Sequence, residues 1–456
     1  MTKISVIILA AGKGQRMQSN IPKVLHHLGG KTLLEHVVET ALHSLHAQQV
    51  YIVYGHNGDE IRNQLSSLPV TWVEQLEQLG TAHAVSQPLP QIPDDHLIIV
   101  LYGDVPLISP QTLEALVKAT PQKGLCLLVA SLENPTGLGR IIRDEHGLFL
   151  NIVEEKDATQ IERNIQEIFS GILAIQAGLL KQYIQKVGRN NAQKEYYLTE
   201  VPTIALREGA MVTTLEGKPE EVLGVNDKEQ LALMERLYQR REANHLLQQG
   251  AILKDLHRVD VRGQVEVGQD TVIDINVLFE GKVRIGRDTY IGPHVCLKDC
   301  VIGNGVTIKA HSVIDGAKVG DEVIIGPFAR LRPDTELESH VHVGNFVEIK
   351  KSMVKEGSKI NHLAYVGDSH VGRDVNIGAG VITCNYDGVN KHETIIEDKA
   401  FIGSNVSLVA PLTIEKGATI GAGSTVTKNA PKDSLTLGRA RQSTIERWQR
   451  PEKNKD

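Results

Sequence analysis

Three groups of residues have the types and spacing from which chemistry can be built. The first is LAAGKGQRM at 9–17, followed by IPKVL at 21–25. Its two glycines let the backbone approach a phosphate closely, and Lys13, Arg16 and Lys23 are cationic donors for phosphate oxygens. No Gly-Lys-Ser/Thr closes the loop, and Met17 stands where a dinucleotide fingerprint has its last glycine, so neither of those motifs is present. A Gly-rich loop after a strand is also often only a turn. The second group is YGDVPL at 102–107, which ends the apolar run HLIIVLYGD. Asp104 thereby falls at the carboxyl end of a buried strand, where open α/β sheets bind ligands. Beside nucleotide phosphates a carboxylate is most simply a Mg²⁺ ligand, although a strand-end Asp can equally cap the next turn. The third group is NHLAYVGD at 361–368, VNIGAG at 375–380 and CNYDG at 384–388. Acyl transfer to an amine needs a base for the amine proton, and histidine suits that task at neutral pH. His362 is the candidate, in a chain whose 18 histidines must mostly be surface residues or local hydrogen-bonders.

Two kinds of sequence hold these groups. Up to about residue 225, apolar β-type runs (Val6 to Leu9, Val50 to Tyr54, His96 to Tyr102, Leu125 to Ala130) alternate with helix-patterned stretches, which predicts an α/β, mostly parallel sheet. From 226 to 249, Leu231, Met234, Leu237, Tyr238 and Leu246 recur at helical spacing, predicting one long linking helix. After Gly250 a six-residue period begins. Val267, Ile273, Phe279, Ile285, Ile291 and Leu297 keep phase, and so do Ile302, Ile308 and Ile314. Ile325, Leu331, Leu337, Val343 and Ile349 follow, then Ile396, Ile402, Leu408, Ile414 and Ile420. Such a repeat predicts a parallel β-helix, three hexads to a coil, with coils stacked at strand spacing. Glycine after the aliphatic residue, as in IGRDTY and IGPHVC, suits a tight corner. The period breaks near 350–360 and between Ile377 and Ile396, where loops carrying binding groups are expected. The expected division is 1–225, 226–250 and 251–456.

Composition excludes several classes. A formal net charge of −6 gives no basic field for nucleic acid. The apolar start ISVIILAAG is too short to span a bilayer and reads as a buried strand, so no membrane is expected. The four cysteines, at 126, 296, 300 and 384, have neither disulfide-scaffold nor zinc spacing and read as reduced thiols in a cytosol. An aromatic content of 4% suits a narrow core with little room for rings.

Together LAAGKGQRM, PKVL, QLGTAHAV and YGDVPL resemble the sugar-1-phosphate nucleotidyltransferase family. With EYYLTE, GVND and the long hexapeptide domain, the chain resembles over essentially its whole length the bacterial bifunctional N-acetylglucosamine-1-phosphate uridylyltransferase/glucosamine-1-phosphate N-acetyltransferase family. The resemblance implies a Rossmann-like nucleotidyltransferase domain, a left-handed β-helix, a cytoplasmic homotrimer, and UTP, acetyl-CoA, glucosamine-1-phosphate and N-acetylglucosamine-1-phosphate as substrates. By the same resemblance Leu9, Ala10, Ala11, Gly12 and Lys23 hold the nucleotide, and Gln75, Gly80 and Thr81 read the uracil. Tyr102, Gly103, Gly139, Glu154 and Asn226 contact the sugar nucleotide, Asp104 and Asn226 bind Mg²⁺, and Arg16 and Lys23 stabilise the phosphoryl charge. Arg332, Lys350, Tyr365 and Asn376 grip the amino-sugar phosphate, His362 is the catalytic base, and Ala379, Asn385, Tyr386, Ser404, Ala422 and Arg439 hold acetyl-CoA. At Phe169-Ser170-Gly171 the chain departs from the family, which often has Asn before Thr-Gly, so the sugar contact of that Asn does not carry over. Two other readings use the same domains: a nucleotidyltransferase for another sugar with a regulatory β-helix, and a non-catalytic scaffold. The His362 and Asn385-Tyr386 clusters argue against the first, and Lys23, Arg16 and Asp104 together against the second.

Overall fold

The computed structural model describes residues 2–12, 14–55, 58–451 and 453; Lys13 lies outside them. The chain separates into two compact units that divide after Tyr238.

In the first unit, Ile4–Ala10 (β1), Gln49–Tyr54 (β2), Thr71–Glu74 (β3), Leu97–Tyr102 (β4), Gly124–Ser131 (β5), Gly139–Arg143 (β6), Phe149–Val153 (β7), Glu167–Gln176 (β8) and Met211–Glu216 (β9) make one sheet. Its order is β9-β5-β8-β4-β1-β2-β3, with β6 paired to β8 and β7 to β6. Along that path only β8 runs antiparallel to its neighbours. All seven residues of β1 are buried, as a central strand covered on both faces requires. Successive side chains alternate between two cores: Val6, Ile8, Ile52 and Ile99 fill one, and Ile7, Leu9, Val53 and Val100 the other. Phe169 belongs to the second core and is 4% exposed, so strand alternation turns this side chain inward. A third cluster joins Met17, Leu28 and Leu33 to Met234 and Tyr238 of the long helix Lys228–Gln248.

The second unit is a parallel β-helix, and its strand pairs all run in one direction. Every aliphatic residue of the hexad series is buried against a single continuous core. Truncating one of them, such as Ile308, to alanine costs about 2–5 kcal/mol. Val259 pairs with Val277, a coil of 18 residues, whereas Cys296 pairs with Val313, a coil of 17. One side of the shorter coil spans five residues, which accounts for the phase slip from Leu297 to Ile302. The expected break at 350–360 is the same effect. Ile349, Val354, Ile360, Val366, Val371 and Ile377 are all buried in the core without interruption. Between Ile377 and Ile396 the segment Asn385 to Glu393 leaves the prism, and there Ser369 pairs with Thr394, 25 residues on.

The corner glycines also serve a different purpose from the one expected. A Cβ on Gly286 would lie 2.6 Å from the carbonyl carbon of Gly303 in the next coil, so close stacking selects glycine. Left-handed backbone at the corners is taken instead by Asn276, His294, His311 and Phe328. The open end of the prism has edge groups that need partners. Gln239 bonds Val261 N at 2.6 Å and Val261 O at 2.8 Å, and Gln249 accepts from Val267 N at 2.8 Å.

Candidate active sites

β1 and β4 are parallel neighbours, so their carboxyl ends and the loops after them lie side by side. Leu9 pairs with Tyr102, and Gly103 N donates to Leu9 O at 2.9 Å. The loops enclose a cleft of about 310 Å³ lined by Leu9, Ala10, Ala11, Gly12, Lys23, Gln75, Gly80, Thr81, Tyr102 and Asp104. A second hollow of about 500 Å³ shares Gly12 and Lys23 and adds Arg16 and Asn226. At their junction the Lys23 ammonium is ion-paired with Asp104 and donates to Asn226 Oδ1 at 3.2 Å. The two side chains of that ion pair are only 13% and 16% exposed. Two oxygen donors from residues far apart in sequence thus converge on one cation. One carboxylate and one amide oxygen, completed by phosphate oxygens and water, is a donor set that Mg²⁺ accepts.

Around this junction the loops are fixed by their own hydrogen bonds. Gln75 is buried, and its amide bonds Gly80 O at 3.3 Å and His83 Nδ1 at 3.0 Å. Gly80 has φ +117°, and a Cβ there would sit 2.5 Å from Tyr196 O, so only glycine fits. Thr81 Oγ1 accepts from Leu198 N at 2.9 Å. Gln78, which opens the QLGTAHAV motif but was given no contact of its own, lines the cleft and donates to Ala11 O at 2.9 Å.

Farther along, Gly139 and Glu154 meet across β6 and β7: a Cβ on Gly139 would be 3.8 Å from the Glu154 carboxylate. Thr199 Oγ1 donates to Glu154 at 3.0 Å, yet burial still pushes the Glu154 carboxyl above its ordinary pKa. Desolvation, then Glu154 and Asp104, push the Tyr102 phenol up in turn, keeping it a neutral hydrogen-bond donor. The Tyr102 ring lies against Gly171, where a Cβ would be 2.4 Å away.

On the β-helix, His362, Ala379, Ser404 and Ala422 form a column down one corner. Gly380 N donates to His362 O at 3.3 Å, Asn405 N to Ala379 O at 2.7 Å, and Gly423 N to Ser404 O at 2.8 Å. Arg439 continues the column, donating to Ala422 O at 2.7 Å. The His362 ring is exposed, and its Nδ1 bonds Asn345 Oδ1 at 2.9 Å. An amide oxygen only accepts, so Nδ1 is the donor in this pair. Asn345 pairs with His362 in the ladder, so the repeat phase one coil earlier was the signal for it.

Beside the column, Arg332 and Lys350 stand on successive coils, with Arg332 N donating to Ile349 O at 2.9 Å. Lys391, on the protruding loop, and Arg332 both lie near Lys350 and hold its ammonium below the ordinary lysine range. Arg332 is itself paired with Glu348 at 2.9 Å, and the Asp368 carboxylate acts on Lys350 in the opposite direction. Lys391 was not among the expected residues. Tyr365 stands on the same sheet, one coil beyond Glu348, and its hydroxyl meets Asn385 Nδ2 at 3.5 Å. Tyr386 is 60% exposed on the loop. Asn376 is not in this cluster: it belongs to the other sheet, between Lys359 and Phe401. No helix among the described residues is long and apolar enough to cross a membrane, and Cys126, Cys296, Cys300 and Cys384 are all free.

Comparison with known proteins agrees with this two-part geometry. Residues 6–252 match the MobA-like NTP transferase domain, and residues 316–351 and 393–428 match the bacterial transferase hexapeptide of six repeats. Relatives named bifunctional protein GlmU span the whole chain. That of Methylococcus capsulatus is 52% identical over 99% of this chain and 98% of its own length. That of Marinobacter nauticus is 52% identical over 99% and 100%, and that of Legionella pneumophila strain Paris 51% identical over 99% of both. The repeats are those of a left-handed β-helix. From the strand-end cleft, the corner column and this full-length similarity, the chain belongs to the GlmU family of bifunctional proteins.

Proposed function

We infer that this chain is a bifunctional enzyme of UDP-N-acetylglucosamine synthesis. Its β-helix acetylates glucosamine-1-phosphate with acetyl-CoA, and its first unit transfers UMP from UTP to the resulting N-acetylglucosamine-1-phosphate, releasing pyrophosphate. The observation that carries this reading is full-length similarity joined to two separate sites, each with the groups its reaction needs.

In uridylyl transfer the sugar phosphate oxygen attacks the α-phosphorus of UTP while the bond to the β-phosphate breaks. Such a transfer accepts little help beyond alignment and charge stabilisation. Lys23 and Arg16 supply positive charge, Gln75, Gly80 and Thr81 orient the base, and Tyr102, Gly139 and Glu154 orient the sugar. Asp104 and Asn226 would hold Mg²⁺, which when bound neutralises triphosphate charge. In acetyl transfer His362 Nε2 takes the amine proton as nitrogen attacks the thioester carbonyl, and coenzyme A leaves as the thiol. Arg332, Lys350, Tyr365 and Asn376 grip the amino-sugar phosphate, and Lys391 joins them. Ala379, Asn385, Tyr386, Ser404, Ala422 and Arg439 line the coenzyme A path.

The proposed domain division is 1–225 for the transferase, 226–250 for the linking helix and 251–456 for the β-helix. The proposed assembly is a cytoplasmic homotrimer through the β-helix, which would bring Asn376 and the cation cluster into one site from neighbouring copies. Mass spectrometry of products made from glucosamine-1-phosphate, acetyl-CoA, UTP and Mg²⁺ tests the activity. UDP-N-acetylglucosamine is expected only when all four are present; its absence from the complete mixture would refute the assignment.

A further inference from the structure

The loop that leaves the prism begins at Asn385 and ends before Thr394, and one residue of the preceding coil holds both of its feet. The Asp368 carboxylate accepts from Asn385 Nδ2 at 2.5 Å, while the Asp368 carbonyl accepts from Thr394 N at 3.1 Å. The residue is 5% exposed, in left-handed backbone at φ +48°, and Lys351 lies 3.3 Å from its second carboxylate oxygen. A carboxylate withdrawn from water needs such partners, and Asn385 and Lys351 supply them. Gly367 beside it leaves the room: a Cβ there would be 2.4 Å from the Tyr365 hydroxyl and 2.9 Å from Asn385 Nδ2.

Between these feet the loop is held by its own bonds. Asp387 accepts from Val389 N, Asn390 N and His392 Nε2 at 2.8, 2.7 and 2.7 Å, and His392 N donates to Asn385 O at 2.8 Å. A bridge joins Tyr386 to Lys391. The loop is therefore a preformed unit whose attachment fixes where Asn385, Tyr386 and Lys391 stand. The same Asn385 amide nitrogen faces the Tyr365 hydroxyl, so the chain Lys351, Asp368, Asn385, Tyr365 runs from the rim into the acetyl site.

We propose that Asp368 is a positioning residue for acetyl transfer, acting through Asn385 to seat the protruding loop against acetyl-CoA. It touches no substrate itself, and the inference rests on the reading of Asn385 as an acetyl-CoA contact. A double-mutant cycle in the full chain separates the two claims. Asn385→Ala should raise the KM for acetyl-CoA about tenfold, the effect of one lost polar contact. Asp368→Ala should raise it to a similar extent, with kcat within about threefold. The double variant should be no worse than Asn385→Ala alone. Asp368→Asn keeps an oxygen facing Asn385 and should recover most of the affinity. Uridylyl transfer monitors only the first unit, so an unchanged thermal midpoint of the β-helix, followed by circular dichroism on the full chain, reports that the second unit is folded; if the alanine variant precipitates, Asp368→Ser carries the same cycle.

An Asp368→Ala enzyme with wild-type KM for acetyl-CoA, or effects that multiply in the double variant, would overturn the positioning role while leaving Asn385 in the site. An Asn385→Ala enzyme with wild-type acetyl kinetics would overturn both.

Discussion

The two sites are built in opposite ways. The uridylyl cleft is concave, and at its centre Lys23, Asp104 and Asn226 are drawn together from positions separated by as many as 203 residues. The acetyl site is a column on the outside of a solenoid, where His362 is exposed and its bonded neighbour Asn345 is 17 residues away. A sheet collects its groups at the ends of strands that are distant in sequence, whereas a coil repeats its corner at a nearly fixed interval. The first arrangement shields charge within one chain. The second leaves the proposed base, His362, open to solvent on one side.

If that contrast is right, single changes should damage one activity and spare the other. The largest effect is expected from His362→Ala, which should slow acetyl transfer by ~10² to 10⁴-fold, the range for loss of a general base, with acetyl-CoA affinity little changed. Uridylyl transfer should be untouched in that variant. An unchanged acetylation rate would make His362 a bystander. Next comes Asp104→Ala, which should cut uridylyl transfer by about 10² to 10³-fold, comparable to losing one preorganised electrostatic group, while acetylation stays normal. Pyrophosphate release near the wild-type rate at ordinary Mg²⁺ would remove Asp104 from the essential set.

The smallest effect concerns stability. Burial raises the Glu154 carboxyl above its ordinary value of 4.5, so the folded state favours the protonated form. The stability tied to this group is therefore present at low pH and lost as pH rises through and above that value. Glu154→Gln keeps an acceptor for Thr199 and removes the charge. Its thermal midpoint should exceed that of the wild type at about pH 8, and the gain should disappear near about pH 4. A lower midpoint at high pH would mean that the charge has a partner.

What the sequence disclosed follows the same contrast. The hexad phase was legible residue by residue because each aliphatic side chain enters the core at its own position, from Val267 to Ile420. The strand-end loops were legible because apolar runs end abruptly at Ala10 and Tyr102. The step from Ile349 to Val354 was misread as a break, since a five-residue side and an insertion both disturb a six-residue count. Residues that act through folded neighbours stayed hidden. Gln78 reaches Ala11, Thr199 reaches Glu154, and Lys391 reaches Lys350 only once the chain has closed on itself. Phe169 marks the same limit: the resemblance marked a departure from the family's motif, and the strand's alternation, which turns the ring into the core, explains where the side chain goes.

Complementation between two single variants decides whether two independent active sites share one chain. The His362→Ala and Asp104→Ala proteins, purified separately, are each given glucosamine-1-phosphate, acetyl-CoA, UTP and Mg²⁺, and UDP-N-acetylglucosamine is followed over time. Each alone should make about 1% or less of the wild-type product, in line with loss of a general base or of one electrostatic group. The mixture should restore synthesis, because N-acetylglucosamine-1-phosphate made on one protein is free to enter the cleft of the other. A mixture as inactive as its components, or either variant failing in both partial reactions, would contradict the account.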